Sequence, residues 1–256
     1  MGVIMLTNQV SSKLQALRLG GMLKGLEDQE AMPNISQLNF NERFELLLDR
    51  EDVVRRNKSF QNRIRKAKFK ENACIEDIDY DPSRGLAKTT ILKFASADWI
   101  TGHQNIIITG PTGAGKTYLA CAIAQAVCRS NYTAKYLRIP RFLRSLEIAR
   151  NDGSYDKLLQ EIQKTDLVLF DDFGQSRLQP DEAKDLLEVM DDRHGQRSVI
   201  ITSQLESSKW YELIPDPTIA DALLDRIIHR SHQINIKGAS MRRTKSGLTG
   251  TPDSTK

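Results

Sequence analysis

The sequence predicts an α/β fold in which a parallel five-stranded sheet follows a small all-helical N-terminal domain. From Leu86 onward, short apolar runs alternate with helical stretches, a pattern typical of a parallel sheet with helices on both faces. The run GPTGAGKT, Gly110 to Thr117, lies between one such apolar run and a helical stretch. Before Leu86, the segment from Asn39 to Lys70 lacks Gly and Pro and has apolar residues at helical spacing, which favours helix alone.

The N-terminal domain contains only helical patterns. Gly20–Gly21 is expected to weaken or bend its first helix. Asn39 and Glu42 have the spacing of a capping box, which predicts that a second helix begins there. The stretch DIDYDPSRGL, Asp77 to Leu86, has the composition of a linker. We therefore expect a helical DNA- or partner-binding domain over residues 1–80, an α/β core over 81–244 and a polar, disordered tail over 245–256.

Five apolar runs are the candidate strands of the core. Each is short and separated from the next by a helical stretch, which indicates parallel connections through crossover helices. The predicted strands are Asn105–Thr109, Ala134–Arg138, Leu167–Asp171, Ser198–Thr202 and Gln233–Ile236.

GPTGAGKT matches the pattern of a loop that wraps the phosphates of a nucleotide. Its glycines permit positive φ and bring backbone N–H groups close to phosphate oxygens. Lys116 supplies a cation for the β- and γ-phosphates, and the Thr117 hydroxyl can bind Mg²⁺. A strand before the loop and a helix after it place the phosphates at a helix N-terminus. The predicted ATP-binding residues are Gly110, Pro111, Thr112, Gly113, Ala114, Gly115, Lys116, Thr117 and Tyr118.

Two further strands end in polar residues that belong beside this loop. LVLFDD ends in Asp171, which is expected to hold Mg²⁺ through water, and Asp172, which is expected to polarise the attacking water. VIITSQ is expected to lie between the other two strands and to place Ser203 or Gln204 near the γ-phosphate, as a sensor of hydrolysis.

Arginines near the C-terminus are candidates for stabilising transition-state charge. Arg226 lies in the amphipathic stretch DALLDRIIHRS. It is either a surface arginine paired with Asp225 or Asp221, or an arginine finger for a neighbouring subunit. Arg242 or Arg243, in GASMRR, is a second candidate.

The positive charge is uneven although the net charge is only +4. Between Arg55 and Lys70 there are eight Lys or Arg and no Asp or Glu, which indicates either a polyanionic partner or a solvated helix face. No base-reading motif is visible, so DNA binding with little sequence specificity is expected. The candidate DNA-binding residues are Arg55, Arg56, Lys58, Arg63, Arg65, Lys66, Lys68 and Lys70.

Cys74, Cys121 and Cys128 lack metal or redox spacing, and Cys121 and Cys128 are expected to be core thiols. The first residues do not form a secretory signal, and no apolar run approaches membrane-spanning length. We expect a cytoplasmic protein with no membrane partner.

Together these residues resemble the AAA+ ATPases and, more closely, the IstB-like transposition helpers, relatives of the DnaC helicase loaders. TSQL, DALLDRI and GASMRR, in that order, are much more specific than the phosphate loop alone. The resemblance implies an AAA+ core, ATP-dependent assembly of several copies on duplex DNA and a transposase partner from the same mobile element. It gives Arg226 the finger role and Arg242 the second-sensor role, and it adds Arg138, Arg141 and Arg144 as candidate DNA contacts. Tyr118 and Ala239 depart from the family pattern.

Three other functions are compatible with parts of this pattern. A replicative helicase loader would share the core and would bind a helicase through the N-terminal domain. A small-molecule kinase would need an acceptor pocket and an arginine-bearing lid, and the sequence shows neither. A non-hydrolysing DNA scaffold would not need Lys116, Asp172 and Arg226. The leading hypothesis is an ATPase that assembles on DNA and helps or regulates a transposase.

Overall fold

A computed structural model describes residues 8–238 of the chain. Two compact units divide at Asn62 and Arg63, inside a long helix, whereas the sequence predicts a boundary near residue 80. Arg63, the first residue of the second unit, is bound within that unit. The Arg63 guanidinium donates from Nε to the carbonyl of Cys128 (2.8 Å) and from Nη2 to Asn131 (2.9 Å).

The first unit is helical, as predicted. The capping box is confirmed: Asn39 N–H donates to Glu42 Oε2 (2.8 Å), and Glu42 N–H donates to Asn39 Oδ1 (3.0 Å). A break at Arg18, with φ 58°, separates the first two helices. The helices are α1 (Asn8–Ala16), α2 (Gly20–Glu30) and α3 (Phe40–Ala67), the last of which continues into the second unit.

Glycine in α2 allows close packing rather than only weakening the helix. A Cβ on Gly21 would lie 2.6 Å from Glu51 Cα, so only glycine permits this approach of α2 to α3. No side chain of its own caps α2. Instead, the Glu51 carboxylate accepts N–H bonds from Gly21 (2.7 Å) and Met22 (3.1 Å). The hydrogen bond from Arg55, together with these N–H bonds, lowers the pKa of Glu51.

The second unit is the predicted α/β core. Its helices are α4 (Lys88–Ala95), α5 (Asp98–Thr101), α6 (Lys116–Arg129), α7 (Ile139–Asp152), α8 (Tyr155–Lys164), α9 (Pro180–Arg193) and α10 (Pro217–Ile228). Its strands are β1 (Asn105–Thr109), β2 (Ala134–Arg138), β3 (Leu167–Phe173), β4 (Ser198–Ser203) and β5 (Ser231–Asn235).

The five strands form one parallel sheet in the order β2-β3-β4-β1-β5. This order confirms that β4 lies between β3 and the strand before the phosphate loop. β1 and β2 have the predicted bounds, β3 and β4 extend further, and β5 begins two residues earlier than predicted. At the sheet edge only Ile234 of β5 is buried, so few apolar residues mark this strand.

The core lies between the sheet and its helices. β1 and β3 are almost wholly buried, and α6 buries most of its length, including Cys121 and Cys128. This confirms both cysteines as core thiols, and burial raises the pKa of each to about 11. Over residues 8–238, no helix is long and apolar enough to cross a membrane.

Candidate nucleotide-binding site

The phosphate-binding loop leaves the carboxyl end of β1 and enters α6, as the sequence predicts. Gly110 has φ +148°, and a Cβ there would lie 2.4 Å from the carbonyl oxygen of Ile236. The backbone after β5 therefore presses on the start of the loop, and only glycine fits. Gly113 and Gly115 also have positive φ, +81° and +94°. The loop backbone thus has the conformation that aims consecutive N–H groups at a phosphate.

Lys116, at the first position of α6, is buried, with 8% of its surface exposed. Its ammonium donates to the carbonyl oxygens of Gly110 (2.8 Å) and Pro111 (2.9 Å). The charge is therefore held inside the curve of the loop, where β- and γ-phosphates would lie.

Asp171, near the carboxyl end of β3, is fully buried and surrounded by donors. It accepts hydrogen bonds from the hydroxyls of Thr117 (2.8 Å), Thr202 (2.6 Å) and Tyr136 (2.6 Å). Burial, followed by the hydrogen bond to Asp171, raises the pKa of Tyr136, which stays a neutral donor. Tyr136 and Thr202 were missed by the sequence analysis, because β2 and β4 bring them to Asp171 only through the order of the sheet.

Thr117 and Asp171 fit a Mg²⁺ site because they place a hydroxyl and a carboxylate together, the hard oxygen donors that Mg²⁺ requires. The described residues contain no cluster of three or more His, Cys, Asp or Glu that could hold a metal alone. A Mg²⁺ ion here would therefore take most of its ligands from phosphate oxygens and water, as is usual for nucleotide sites.

Asp172 differs sharply from its neighbour. It has φ +64°, and the β3–β4 register shifts between Phe170 and Phe173, so Asp172 lies at a local bulge near the end of β3. Its carboxylate accepts from Arg138 Nε (2.7 Å). A left-handed backbone at a non-glycine residue is sparsely populated, and such strain concentrates at functional sites.

Gln204 follows β4 and lies against the phosphate-binding loop. Its side-chain oxygen accepts from the Thr112 hydroxyl (2.8 Å). Ser203, the alternative sensor candidate, is fully buried and donates to the carbonyl of Phe173 (2.8 Å). Of the two residues, Gln204 is therefore the one in contact with the loop.

Arg226 lies on α10 at the amino edge of the sheet. The side-chain amide of Asn105, the first residue of β1, donates to the carbonyls of Arg226 (3.2 Å) and Ile227 (3.1 Å). The guanidinium is paired with Asp191 of α9, not with the Asp225 or Asp221 considered from the sequence. Arg242 and Arg243 lie outside the described residues.

The basic residues differ in their surroundings. Arg55 and Arg56 pair with Glu51 and Asp52, which lie just before the basic stretch that runs from Arg55 to Lys70. Arg63 is bound to α6, as described above. Lys58, Arg65, Lys66 and Lys68 are exposed, as are Arg141 and Arg144 on α7.

Two basic residues contact the carboxylates of the nucleotide site, although both side chains stay partly exposed. Arg138 is paired with Asp172. The Lys70 ammonium lies 3.9 Å from the buried carboxylate of Asp171. From the sequence alone, both are expected to be DNA contacts.

Tyr118, the last residue of the predicted nucleotide set, follows Thr117 in the first turn of α6. Burial raises the pKa of its phenol, and the nearby carboxylate of Asp77 adds to this effect.

The sheet order, the phosphate-binding loop and the acidic strand β3 define a P-loop protein of the AAA+ fold. Solved structures with this arrangement include the DnaC helicase loader, with a TM-score of 0.59 at 20% identity over 67% of this chain and 100% of that one. DnaA from Aquifex aeolicus bound to AMPPCP has a TM-score of 0.58 at 17% identity, over 71% of this chain and 56% of that one. At these identities the likeness concerns the fold.

The chain belongs to the family of IstB-like ATP binding proteins, whose family model it matches over residues 12–248. An insertion-sequence ATP-binding protein of Sinorhizobium fredii, y4pL, is 40% identical over 94% of this chain and 98% of its own length. The ATP-binding protein of insertion sequence IS1162 from Pseudomonas fluorescens is 47% identical over 80% of this chain and 89% of its own. The predicted family and fold are thus confirmed.

Proposed function

We propose that this chain is a Mg²⁺-dependent ATPase that assembles in several copies on duplex DNA in the cytoplasm and helps or regulates the transposase of its own insertion sequence. The observation that carries the proposal is the convergence of three distant segments at one edge of the sheet. Thr117, Asp171 and Gln204 come from α6, β3 and the end of β4, and Thr117 donates to Asp171 while Thr112 of the loop donates to Gln204. A site for binding phosphate alone would not need the acidic strand or the polar residue after β4.

In the proposed reaction, the loop N–H groups and Lys116 bind the phosphates, and the Thr117 hydroxyl, with Asp171 acting through water, would hold the metal. Bound Mg²⁺ would neutralise the charge of the phosphate oxygens. Asp172 orients and polarises the attacking water, and Gln204 contacts the terminal phosphate. These roles place all the cis-acting groups at the carboxyl edge of the sheet, where ligands of open α/β sheets bind.

We propose that Arg226 completes the site of a neighbouring copy. The five residues of β1, at about 3.3 Å each, separate the amino edge of the sheet from the loop by roughly 15 Å. This distance is too long for Arg226 to reach the phosphates of its own chain. The Asp191 carboxylate holds the guanidinium, which supports an arginine kept in place for a partner. Arg242, by the family resemblance, is proposed as the second sensor.

DNA binding is proposed for the exposed basic residues, because phosphate neutralisation by Lys and Arg supplies most non-specific affinity for duplex DNA. The insertion-sequence relatives, at 40% and 47% identity, favour a role in transposition over helicase loading, because the likeness to the DnaC helicase loader is one of fold at 20% identity. A transposase-linked protein is expected to prefer duplex DNA, and a strong preference for single strands would favour the loader.

Lys116→Ala tests the nucleotide assignment. The phosphates lose the buried cation at the loop, so binding of a fluorescent ATP analogue is expected to fall at least about a hundredfold, and ATP-dependent assembly on DNA should disappear with it. Lys93→Ala, which removes an exposed lysine from α4, is the matched control and should bind normally. Wild-type affinity in Lys116→Ala would refute the assignment.

A further inference from the structure

Arg84 contacts the phosphate-binding loop from outside. It lies in the turn before α4, in the stretch that the sequence analysis treated as a linker. Its Nη2 donates to the carbonyl of Ala114 (2.9 Å), and its Nη1 donates to the carbonyl of Asp79 (2.7 Å). Only 11% of the side chain is exposed. A cation is therefore held against the loop by a segment that carries no part of the phosphate-binding motif.

The backbone around Arg84 is itself fixed. The Asp81 carboxylate accepts the Ser83 N–H (2.8 Å) and caps the short helical turn that contains Arg84. The carbonyl of Arg84 accepts the N–H of Lys237 (2.9 Å), just after β5. The same strand exit presses on Gly110, so the loop is bordered on this side by Ile236 and Arg84. The guanidinium is consequently placed by rigid elements rather than by a flexible side chain alone.

We propose that Arg84 is a positioning residue for nucleotide binding, which orients the peptide between Ala114 and Gly115 for the phosphates. In a trans peptide the carbonyl and the N–H point in opposite directions. Because Arg84 holds the Ala114 carbonyl outward, the Gly115 N–H is turned to the opposite side, the inner side of the loop. A charged donor on the carbonyl also polarises the peptide and strengthens the N–H as a donor.

The fit at Gly115 supports this role. A Cβ on Gly115 would lie 3.0 Å from Arg84 Nη2, in addition to the strain of its φ of +94°. The loop and the guanidinium therefore pack together directly. Lys116 binds the carbonyl of Gly110 at the start of the loop, and Arg84 binds the carbonyl of Ala114 just before Gly115, so two cations together restrain the loop backbone.

The inference rests on the proposed nucleotide function, and the experiment separates the two. Arg84→Ala in the full chain is expected to weaken ATP binding about tenfold, the loss typical of one charge-assisted hydrogen bond. Arg84→Lys keeps the charge without the planar fork and is expected to recover part of the affinity. Lys88→Ala is the control, since Lys88 lies near Tyr80 in the same region and removing it deletes an equal charge.

Equilibrium dialysis with ATP and competition with AMP test whether Arg84 affects binding of the phosphates or only stabilises the local structure. A role at the loop weakens ATP more than AMP, which lacks the outer phosphates. Equal weakening of both ligands, or ATP affinity within twofold of wild type in Arg84→Ala, would overturn the inference. If Arg84→Ala does not fold, wild-type ATP affinity in Arg84→Gln would overturn it equally. Failure of the wild-type chain to bind ATP would instead refute the proposed function.

Discussion

Two adjacent carboxylates show how one strand supplies two chemical environments at the scale of single residues. Asp171 is fully buried and accepts three hydroxyl donors, so its position is fixed from α6, β2 and β4. Asp172 lies at the bulge near the end of β3 and has one cationic partner, Arg138. The rigid carboxylate suits a metal site, and the more accessible one suits a water molecule.

Asp172→Asn tests this division of roles. The amide keeps the shape of the side chain but loses its charge, so ATP binding should stay near wild type while hydrolysis slows about a hundredfold or more. The variant should accumulate in an ATP-bound form on DNA. Single-turnover hydrolysis measures the effect, and Asp181→Asn, an exposed aspartate on α9, is the matched control. An unchanged rate would assign the water-orienting role to another residue.

The predictable part of the site is the part encoded locally. The glycine loop, Lys116 and Thr117 form one contiguous segment, and Asp171 and Asp172 follow an apolar run, so their chemistry can be predicted from the sequence. Tyr136, Thr202 and Arg84 reach the site only because strand order and the backbone after β5 bring distant segments together. Their local sequences resemble an ordinary strand, strand and turn. No periodicity or spacing marks them as site residues.

At the scale of elements, the sequence predicts where helices and strands occur better than it predicts which residues pack around them. The capping box of α3 and the central strands agree with the structure because both depend on local chemistry or strong apolar runs. The role of Gly21 in α2 could not be predicted from the sequence, since it depends on the close approach of α3. The basic stretch from Arg55 to Lys70 is another example. Glu51 and Asp52, one helical turn earlier, pair with Arg55 and Arg56. Counting charges only within the stretch does not include these two acids.

The exposed end of that stretch carries a testable DNA prediction. Reversing Arg65, Lys66 and Lys68 to Glu should weaken binding to all duplex sequences alike and lower the salt slope by about one unit for each phosphate that is no longer neutralised. Arg63 is left intact because it binds α6. Filter binding across a salt series measures the slope. Reversal of Arg141 and Arg144 is the comparison, and an unchanged slope in the first variant would transfer the DNA role to α7.

At the scale of the whole molecule, the chain is a member of the IstB-like ATP binding family whose phosphate loop and Arg226 lie at opposite edges of one sheet. This arrangement favours an active site completed between copies. A head-to-tail contact between copies would join the carboxyl edge of one core to the Arg226 face of the next. ATP hydrolysis would then depend on assembly, because the nucleotide site of an isolated chain would have no arginine from a neighbouring copy.

The most direct test of this account is to mix two inactive variants. Lys116→Ala lacks a site but keeps the arginine, and Arg226→Ala keeps the site but lacks the arginine. In a random one-to-one mixture about one interface in four combines an intact site with an intact arginine, so ATPase activity should partly return. The control is Arg226→Ala mixed with a chain that carries both Lys116→Ala and Arg226→Ala. This mixture contains no intact arginine and should stay inactive. If the single variants assemble together and no activity returns, Arg226 does not act on a neighbour's nucleotide, and the shared-site account is wrong.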